Sequence, residues 1–252
     1  MAYTKVATSL TPALIIYLID NSGSMKLDLD GAPKIQHVNE ALEDVLATMV
    51  QRSTKGGAIS PRYRLGMVAY SDQPTDLLSG ILTIDEVAKK GSPQLAATYS
   101  TDTAAAFAWA RDVLKQELPK LNGHPVPMVC HLTDGAFTGS DPEPIAREIM
   151  QMSNDDGNVL IENIYVGANL TKQPITDAEN WAGVLDASEL GDAYAQKLFN
   201  MSSPLPESYA NVILEDGYSL KPGVKMLIPA TSKELIRLAF AMSGATPVVA
   251  TE

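Results

Sequence analysis

The chain has 252 residues, of which 45% are hydrophobic, so its size suits one large α/β domain or a domain with an extension. Asp and Glu outnumber Lys and Arg by 30 to 19, and the resulting net charge of −11 excludes nucleic acid as an expected partner. A single cysteine, Cys130, excludes an internal disulfide, and the first apolar run is too short to span a membrane. We therefore expect a cytoplasmic protein that does not enter a membrane.

The first predicted element is a buried strand that ends in a polar motif. Residues 13–19 carry no charge and show no alternation, which is typical of a strand buried on both faces of a parallel sheet. Asp20, Ser22 and Ser24 follow at alternate positions. Ligands of open α/β sheets bind outside the carboxyl ends of the strands, so these oxygens lie where a site is expected. The motif alone is equally consistent with a turn or a helix cap.

Strands and helices are predicted to alternate through the following residues. Residues 28–31 are expected to form a solvated loop, and His37, on the next helix, to be a surface residue. The predicted helices span residues 35–52, 103–118 and 142–152, with a helical turn at 84–90, and the predicted strands span residues 63–70, 128–132 and 159–167. This alternation predicts an α/β fold with a doubly wound, mainly parallel sheet and helices on both faces.

The end of the chain is predicted to be an extension packed on the main domain. The expected division is an N-terminal tail at 1–10, the domain at 11–200 and the extension at 201–252. Within the extension, residues 207–215 are expected to be helical and residues 226–228 to form a short strand. Thr231 and Glu234 are spaced as a capping box, which predicts a helix from there to about Met242.

Two further stretches supply oxygen ligands at the same predicted edge of the sheet. Thr101 and Asp102 precede the helix at 103–118, where backbone N–H groups favour negative charge, and capping is the alternative role for either residue. Asp134 follows the strand at 128–132. Three hydroxyls and two carboxylates suit a hard cation such as Mg²⁺, or Mn²⁺ or Ca²⁺, whose remaining positions would be filled by water or a partner.

The three stretches, in this order and context, resemble the von Willebrand factor A (vWA) family over about residues 11–200. The resemblance implies a Rossmann-like vWA fold and a metal-ion-dependent adhesion site. The second stretch departs from the family pattern, since Tyr99-Ser100-Thr101 stands where the family usually has Gly-Gly-Thr. The path of that loop is therefore left open.

The resemblance also implies a role for each ligand. Ser22 and Ser24 would bind the metal directly, and Thr101 would bind it directly or through water. Asp20 and Asp134 would act mainly through bound waters.

The function that the resemblance implies is protein binding through the metal. The metal would accept a carboxylate from an acidic residue of a partner protein. Intracellular bacterial relatives act beside chaperone-type ATPases, kinases or phosphatases in stress-response assemblies, and the tellurium-resistance-type proteins are one such group. The resemblance therefore suggests an adaptor in a stress-response or signalling assembly.

Two alternatives remain. The first is a Mg²⁺-dependent phosphohydrolase with Asp20 as nucleophile, but such phosphatases need an acid/base aspartate where this chain has Ser22. We therefore expect no catalytic residues and no enzymatic activity. The second alternative is a structural subunit whose metal site is vestigial, which the complete ligand set disfavours.

Overall fold

The computed structural model describes residues 3–98, 100–135, 137–167 and 170–248. The strands of the main sheet are β1 (Ala13–Asp20), β2 (Tyr63–Tyr70), β3 (Pro74–Asp76), β4 (Leu82–Thr83), β5 (Met128–Thr133), β6 (Leu160–Tyr165) and β7 (Leu227–Pro229). The α-helices are α1 (Lys34–Ser53), α2 (Ile84–Lys90), α3 (Thr103–Glu117), α4 (Glu143–Gln151), α5 (Ala193–Asn200), α6 (Glu207–Glu215) and α7 (Lys233–Ser243).

Within the described residues, the centre of the fold is a seven-stranded sheet whose middle strands are parallel. Their order is β7-β6-β5-β1-β2, and both β3 and β4 pair antiparallel with β2. Strand β1 lies between β2 and β5, so that Ile16 pairs with Gly66 on one side and with Val129 on the other. The chain first adds strands on one side of β1 and then on the other. The carboxyl ends of β1 and β5 therefore form the topological switch point of the sheet.

Helices cover both faces of the sheet, and this confirms the predicted fold class. All eight residues of β1 are buried. Tyr17 and Ile19 belong to a core shared with α1, α2, α6 and α7. Ile16 and Leu18 belong to a second core, on the opposite face, shared with α3 and α4. A strand with a core on each side does not need to alternate polar and apolar residues. This explains why the sequence of β1 shows no alternation.

The segment before α1 differs from the sequence prediction. Asp28–Leu29 and Ala32–Pro33 pair as an antiparallel hairpin where a solvated loop was expected. The Asp30-Gly31 pair has φ angles of 55° and 86°, the conformation that a two-residue hairpin turn requires and that Asp-Gly adopts readily. His37 is only 8% exposed, and its Nε2 lies 2.6 Å from the carbonyl oxygen of Leu29. The prediction of a surface histidine was wrong because the hairpin covers the ring.

Residues beyond 200 contribute to the same sheet. Leu227 of β7 pairs with Asn163 of β6, and α7 packs against α1. Ser232 caps α7 by accepting a hydrogen bond from the N–H of Leu235 at 3.3 Å. The predicted cap, Thr231, was one residue too early because its N–H still bonds to the carbonyl of Pro229. The division at residue 200 stays a prediction, and its outer segments reach residues 1–2 and 249–252, outside the described residues.

None of the described helices is both long enough and apolar enough to cross a membrane.

Candidate metal-binding site

The predicted site begins with Asp20, the last residue of β1. Its side chain is fully buried. Asp20 Oδ1 accepts a hydrogen bond from the N–H of Ser22 at 2.8 Å, which fixes the turn that leaves the strand. Asp20 Oδ2 accepts one from the hydroxyl of Thr133, on the neighbouring strand β5, at 2.9 Å. Asp20 therefore joins the ends of the two strands that form the switch point.

Hydrogen bonds extend from Asp20 to the surface through the two predicted serines. After the turn at Ser22, the 3₁₀ helix Gly23–Lys26 brings the Ser22 and Ser24 hydroxyl oxygens to 3.1 Å from each other. Ser24 Oγ then donates to Asp134 Oδ1 at 2.6 Å. Ser22 is buried whereas Ser24 is exposed. The structure thus brings four of the five predicted ligands into one continuous chain, in which Ser24 is the member exposed to solvent.

The fifth predicted ligand, Thr101, reaches the same edge of the sheet through its backbone. Its carbonyl oxygen accepts hydrogen bonds from the N–H and the hydroxyl of Thr138, at 2.9 and 2.6 Å. The next N–H, of Asp102, bonds to the carbonyl of Ser71, just beyond β2, at 2.6 Å. Asp102 itself caps α3 by accepting from the N–H of Ala105 at 3.0 Å, so its predicted capping role is confirmed.

The loop before Thr101 is attached to the end of β1. The N–H of Thr98 donates to the carbonyl of Asn21 at 2.6 Å, and the Asn21 side chain donates to the carbonyl of Ala96 at 3.1 Å. Tyr99, where the sequence departs from the family pattern, lies outside the described residues. These contacts hold the loop, as far as Thr98, against the end of β1.

The electrostatics of the site involve two carboxylates and one ammonium group. Burial raises the pKa of Asp20 above its usual range, and the charge of Asp134 acts in the same direction, while hydrogen bonds from Ser22 and Thr133 oppose the shift. Lys34, the first residue of α1, places its Nζ 2.8 Å from Asp134 Oδ2. Burial therefore makes the charged form of Asp20 less favourable than it is in water, and a nearby cation would favour it again.

Sequence reasoning missed two residues of the site. Thr133 stands directly before Asp134, and its position at the end of a predicted strand was a usable signal. Lys34 gave none, because it belongs to a different element and meets Asp134 only in the folded chain. Patterns of neighbouring residues cannot show such a contact.

A buried histidine network lies beside the site. His131 Nδ1 is 2.7 Å from the Asn163 side-chain oxygen, and His131 Nε2 is 2.7 Å from the Tyr70 hydroxyl. Since an amide oxygen can only accept, Nδ1 carries the proton and Nε2 accepts from Tyr70. Burial lowers the pKa of His131 to about 4. With both nitrogens engaged and Phe107 packed on the ring at 4.9 Å, His131 supports the core rather than offering a ligand.

The donor chemistry of the site fits a hard divalent cation. Asp20, Ser22, Ser24, Thr101 and Asp134 offer oxygen only, as Mg²⁺ requires. In the part of the chain that the structure describes, no three His, Cys, Asp or Glu residues gather as a metal cluster. A metal at this edge would therefore depend on the hydroxyls. The fold and the site together define an open α/β domain that gathers carboxylates and hydroxyls at its switch point.

Comparison with known families agrees with this class of protein. Residues 15–136 match the von Willebrand factor type A domain. The matched range begins in β1 and includes Asp20, Thr101 and Asp134. Over these residues the chain is therefore similar to the vWA domain family. The comparison with curated proteins finds no match.

Several solved structures are similar in fold. A point mutant of the PilB minor pilin from Streptococcus sanguinis matches with a TM-score of 0.52 and 12% identity, over 91% of this chain and 60% of that chain. Proximal thread matrix protein 1 from the mussel byssus, with a zinc-occupied MIDAS motif, matches with a TM-score of 0.44 and 17% identity, over 65% and 40%. The vWF domain of the pili tip protein Mfa5 from Porphyromonas gingivalis matches with a TM-score of 0.39 and 17% identity, over 51% of this chain and 39% of that chain. This chain thus spans about two fifths of the latter two, and at these identities the likeness concerns the fold alone.

Proposed function

We propose that the chain is a metal-dependent protein-binding module. The observation that carries the proposal is the hydrogen-bonded chain from Asp20 through Ser22 and Ser24 to Asp134, at the switch point of the sheet. Such an edge is where open α/β sheets bind their ligands. A vWA domain is typically a protein-interaction module, and the family match supports that general class here.

The proposed metal is Mg²⁺, or Mn²⁺ or Ca²⁺, held by the five predicted residues. Ser22, Ser24 and Thr101 would supply neutral hydroxyl oxygens. Asp20 and Asp134 would balance the charge of the cation and orient its water molecules. The bound cation would supply an electrophilic position for a carboxylate of a partner, since hydroxyl ligands leave its charge largely undiminished. The exposed position of Ser24 supports access from solvent.

Metal binding is tested by removing the two serine hydroxyls. Calorimetric titration of the wild type with Mg²⁺ and Mn²⁺ should show one site, and Ser22→Ala/Ser24→Ala should weaken binding by about a hundredfold or more, because two of the direct ligands are lost. Ser140→Ala/Ser188→Ala, at two exposed serines elsewhere, should bind like the wild type. Circular dichroism would check that each variant is folded. Equal affinities for wild type and Ser22→Ala/Ser24→Ala would refute this site.

The partner is proposed to be an acidic protein surface. The chain carries a net charge of −11 and would repel such a surface, so the cation must supply the local attraction. We propose a cytoplasmic kinase, phosphatase or chaperone-type ATPase in a stress-response or signalling assembly, with tellurium-resistance-type proteins as the nearest kind of precedent. This part of the proposal rests on the family resemblance of the motifs alone.

Partner binding should depend on both the metal and Thr101. Proteins captured on the immobilised chain in Mg²⁺ would be quantified by mass spectrometry and compared with capture in EDTA and with capture by Thr101→Ala. We expect both changes to lower capture by about tenfold, whereas Thr171→Ala, at a threonine outside the five predicted ligands, should have no effect. If all the captured amounts agree within about a factor of two, or roughly 0.4 kcal/mol, the metal is not the contact point.

A catalytic role is not part of the proposal. Phosphoryl transfer through Asp20 would need a titratable acid or base two residues later, and Ser22 has no group that titrates near neutral pH. The neutral, fully engaged His131 does not replace it.

A further inference from the structure

Lys34 places a positive charge inside the candidate site. It is the first residue of α1, and its backbone N–H is held by the carbonyl of Leu27 at 3.0 Å. From there its side chain reaches Asp134 Oδ2 at 2.8 Å. The Lys34 side chain is 12% exposed and that of Asp134 only 1%. This ion pair is therefore largely shielded from water. In such a partly buried place the interaction between two charges is much stronger than at the surface.

The ion pair occupies the oxygen of Asp134 that is not already bonded within the site. Asp134 Oδ1 accepts the Ser24 hydroxyl, and Oδ2 holds the ammonium of Lys34. A divalent cation with its water molecules would need this same carboxylate. The ammonium and the cation would also repel each other at close range in a poorly hydrated place. The site cannot hold both in the present geometry without a loss of affinity.

We propose that Lys34 is a built-in counter-ion that competes with the divalent cation for Asp134. In the absence of metal, Lys34 neutralises the buried carboxylate. When a cation binds, Lys34 gives up Asp134, so the strength of the ion pair sets the metal affinity of the site. The proposal rests on the proposed function, because it assumes that the cation binds at these residues.

The test is to remove the charge of Lys34 while keeping its aliphatic stem. Lys34→Met does this, and Lys34→Arg keeps the charge. Lys233→Met is a matched control, since Lys233 is also the first residue of a helix and forms an ion pair with Glu40, at an exposed position. Titration calorimetry with Mg²⁺ and with Mn²⁺ should give Lys34→Met an affinity about tenfold or more above the wild type. Lys34→Arg and Lys233→Met should remain near the wild type.

Thermal unfolding gives a second readout that does not depend on heat of binding. Without metal, Lys34→Met should melt below the wild type because Asp134 is left buried and unpaired. Added Mg²⁺ should then raise its melting temperature more than that of the wild type. Should Lys34→Met fail to fold, Lys34→Gln, which can still donate a hydrogen bond to Asp134, would take its place.

The outcomes separate this inference from the proposed function. Equal metal affinity of wild type and Lys34→Met would overturn the competition and leave the metal site intact. Binding by Lys34→Met but not by the wild type would support the competition and overturn the metal-dependent function of the wild type. Absence of binding in both would overturn both. Loss of the gained affinity on adding Ser22→Ala/Ser24→Ala to Lys34→Met would support competition at this site, and its retention would overturn it.

Discussion

Asp156→Ala is expected to lower the free energy of unfolding by about 3 kcal/mol or more. Asp156 is 4% exposed, and its Oδ1 accepts the N–H groups of Thr4 and Lys5 at 2.9 and 3.1 Å. Its Oδ2 accepts the N–H of Val126 at 3.2 Å. One carboxylate thus ties the N-terminal segment to the chain just before β5, and its removal would leave three donors without a charged acceptor.

Asp155 provides the matched control for this substitution. It is the preceding residue, and its exposed carboxylate pairs with Lys5 and accepts the N–H of Gly123 at 3.0 Å. Asp155→Ala should lower the free energy of unfolding by much less than Asp156→Ala does, because water screens the contacts of an exposed carboxylate. Urea unfolding at pH 7 would measure both. A loss of equal size in the two variants would show that the buried bonds of Asp156 contribute no more to stability than the exposed contacts of Asp155.

Glu162→Met is expected to raise the free energy of unfolding at pH 8 by about 1–3 kcal/mol. Glu162, on β6, is completely buried, and neither carboxyl oxygen has a hydrogen-bond partner of normal geometry among the described residues. It lies beside Cys130, which pairs with Tyr17 on the next strand. The Cys130 thiol in contact with it is only a weak donor. Methionine would fill similar space without a polar group to desolvate.

The gain from Glu162→Met should depend on pH. Burial raises the pKa of Glu162 well above its usual value, so the folded chain keeps this carboxyl protonated to a higher pH than the unfolded chain does. The unfolded chain loses the proton above its ordinary pKa of about 4.5. The wild type therefore loses stability as the pH rises from there toward the folded pKa. The gap between Glu162→Met and wild type should be small at pH 4 and large at pH 8.

Urea unfolding at pH 4, 6 and 8 would measure this gap. Glu162→Gln, which cannot ionise but remains polar, should show the same pH dependence as Glu162→Met with a lower stability throughout. Parallel stability curves for wild type and Glu162→Met would contradict the buried, protonated carboxyl.

Much of the fold could be predicted because buried parallel strands have a simple pattern. Strand β2 was predicted at residues 63–70 and is observed as Tyr63–Tyr70. The run at 128–132 extends by one residue, to Thr133. The carboxyl ends of such runs also pointed to Asp20 and Asp134, which the structure links through Ser22 and Ser24. Local pattern sufficed there, since neighbouring residues determine both the strand and its end.

The remaining features depend on contacts between distant parts of the chain. The position of His37 in the helical pattern is that of a surface residue, and it is the hairpin before α1 that covers its ring. Lys34 and Asp134 are a hundred positions apart. Glu162 lies within an apolar run, but the sequence of that run does not show whether the folded chain provides a hydrogen-bond partner for the carboxyl group. The spacing of apolar residues shows which face of a helix or strand is buried. It does not show which distant element packs on that face, and the surroundings of His37, Lys34 and Glu162 depend on that element.

The central position of β1 also determines how late the sheet can be completed during synthesis. One edge of β1 is paired when β2 emerges, but the other edge waits for β5, as the pairing of Ile16 with both Gly66 and Val129 shows. Until Met128–Thr133 has left the ribosome, an apolar strand presents a row of unpaired N–H and carbonyl groups. Such an edge is a template for pairing with another chain. The nascent protein therefore passes through an interval in which its most apolar strand is open to association, and a chaperone that covers this edge would protect it.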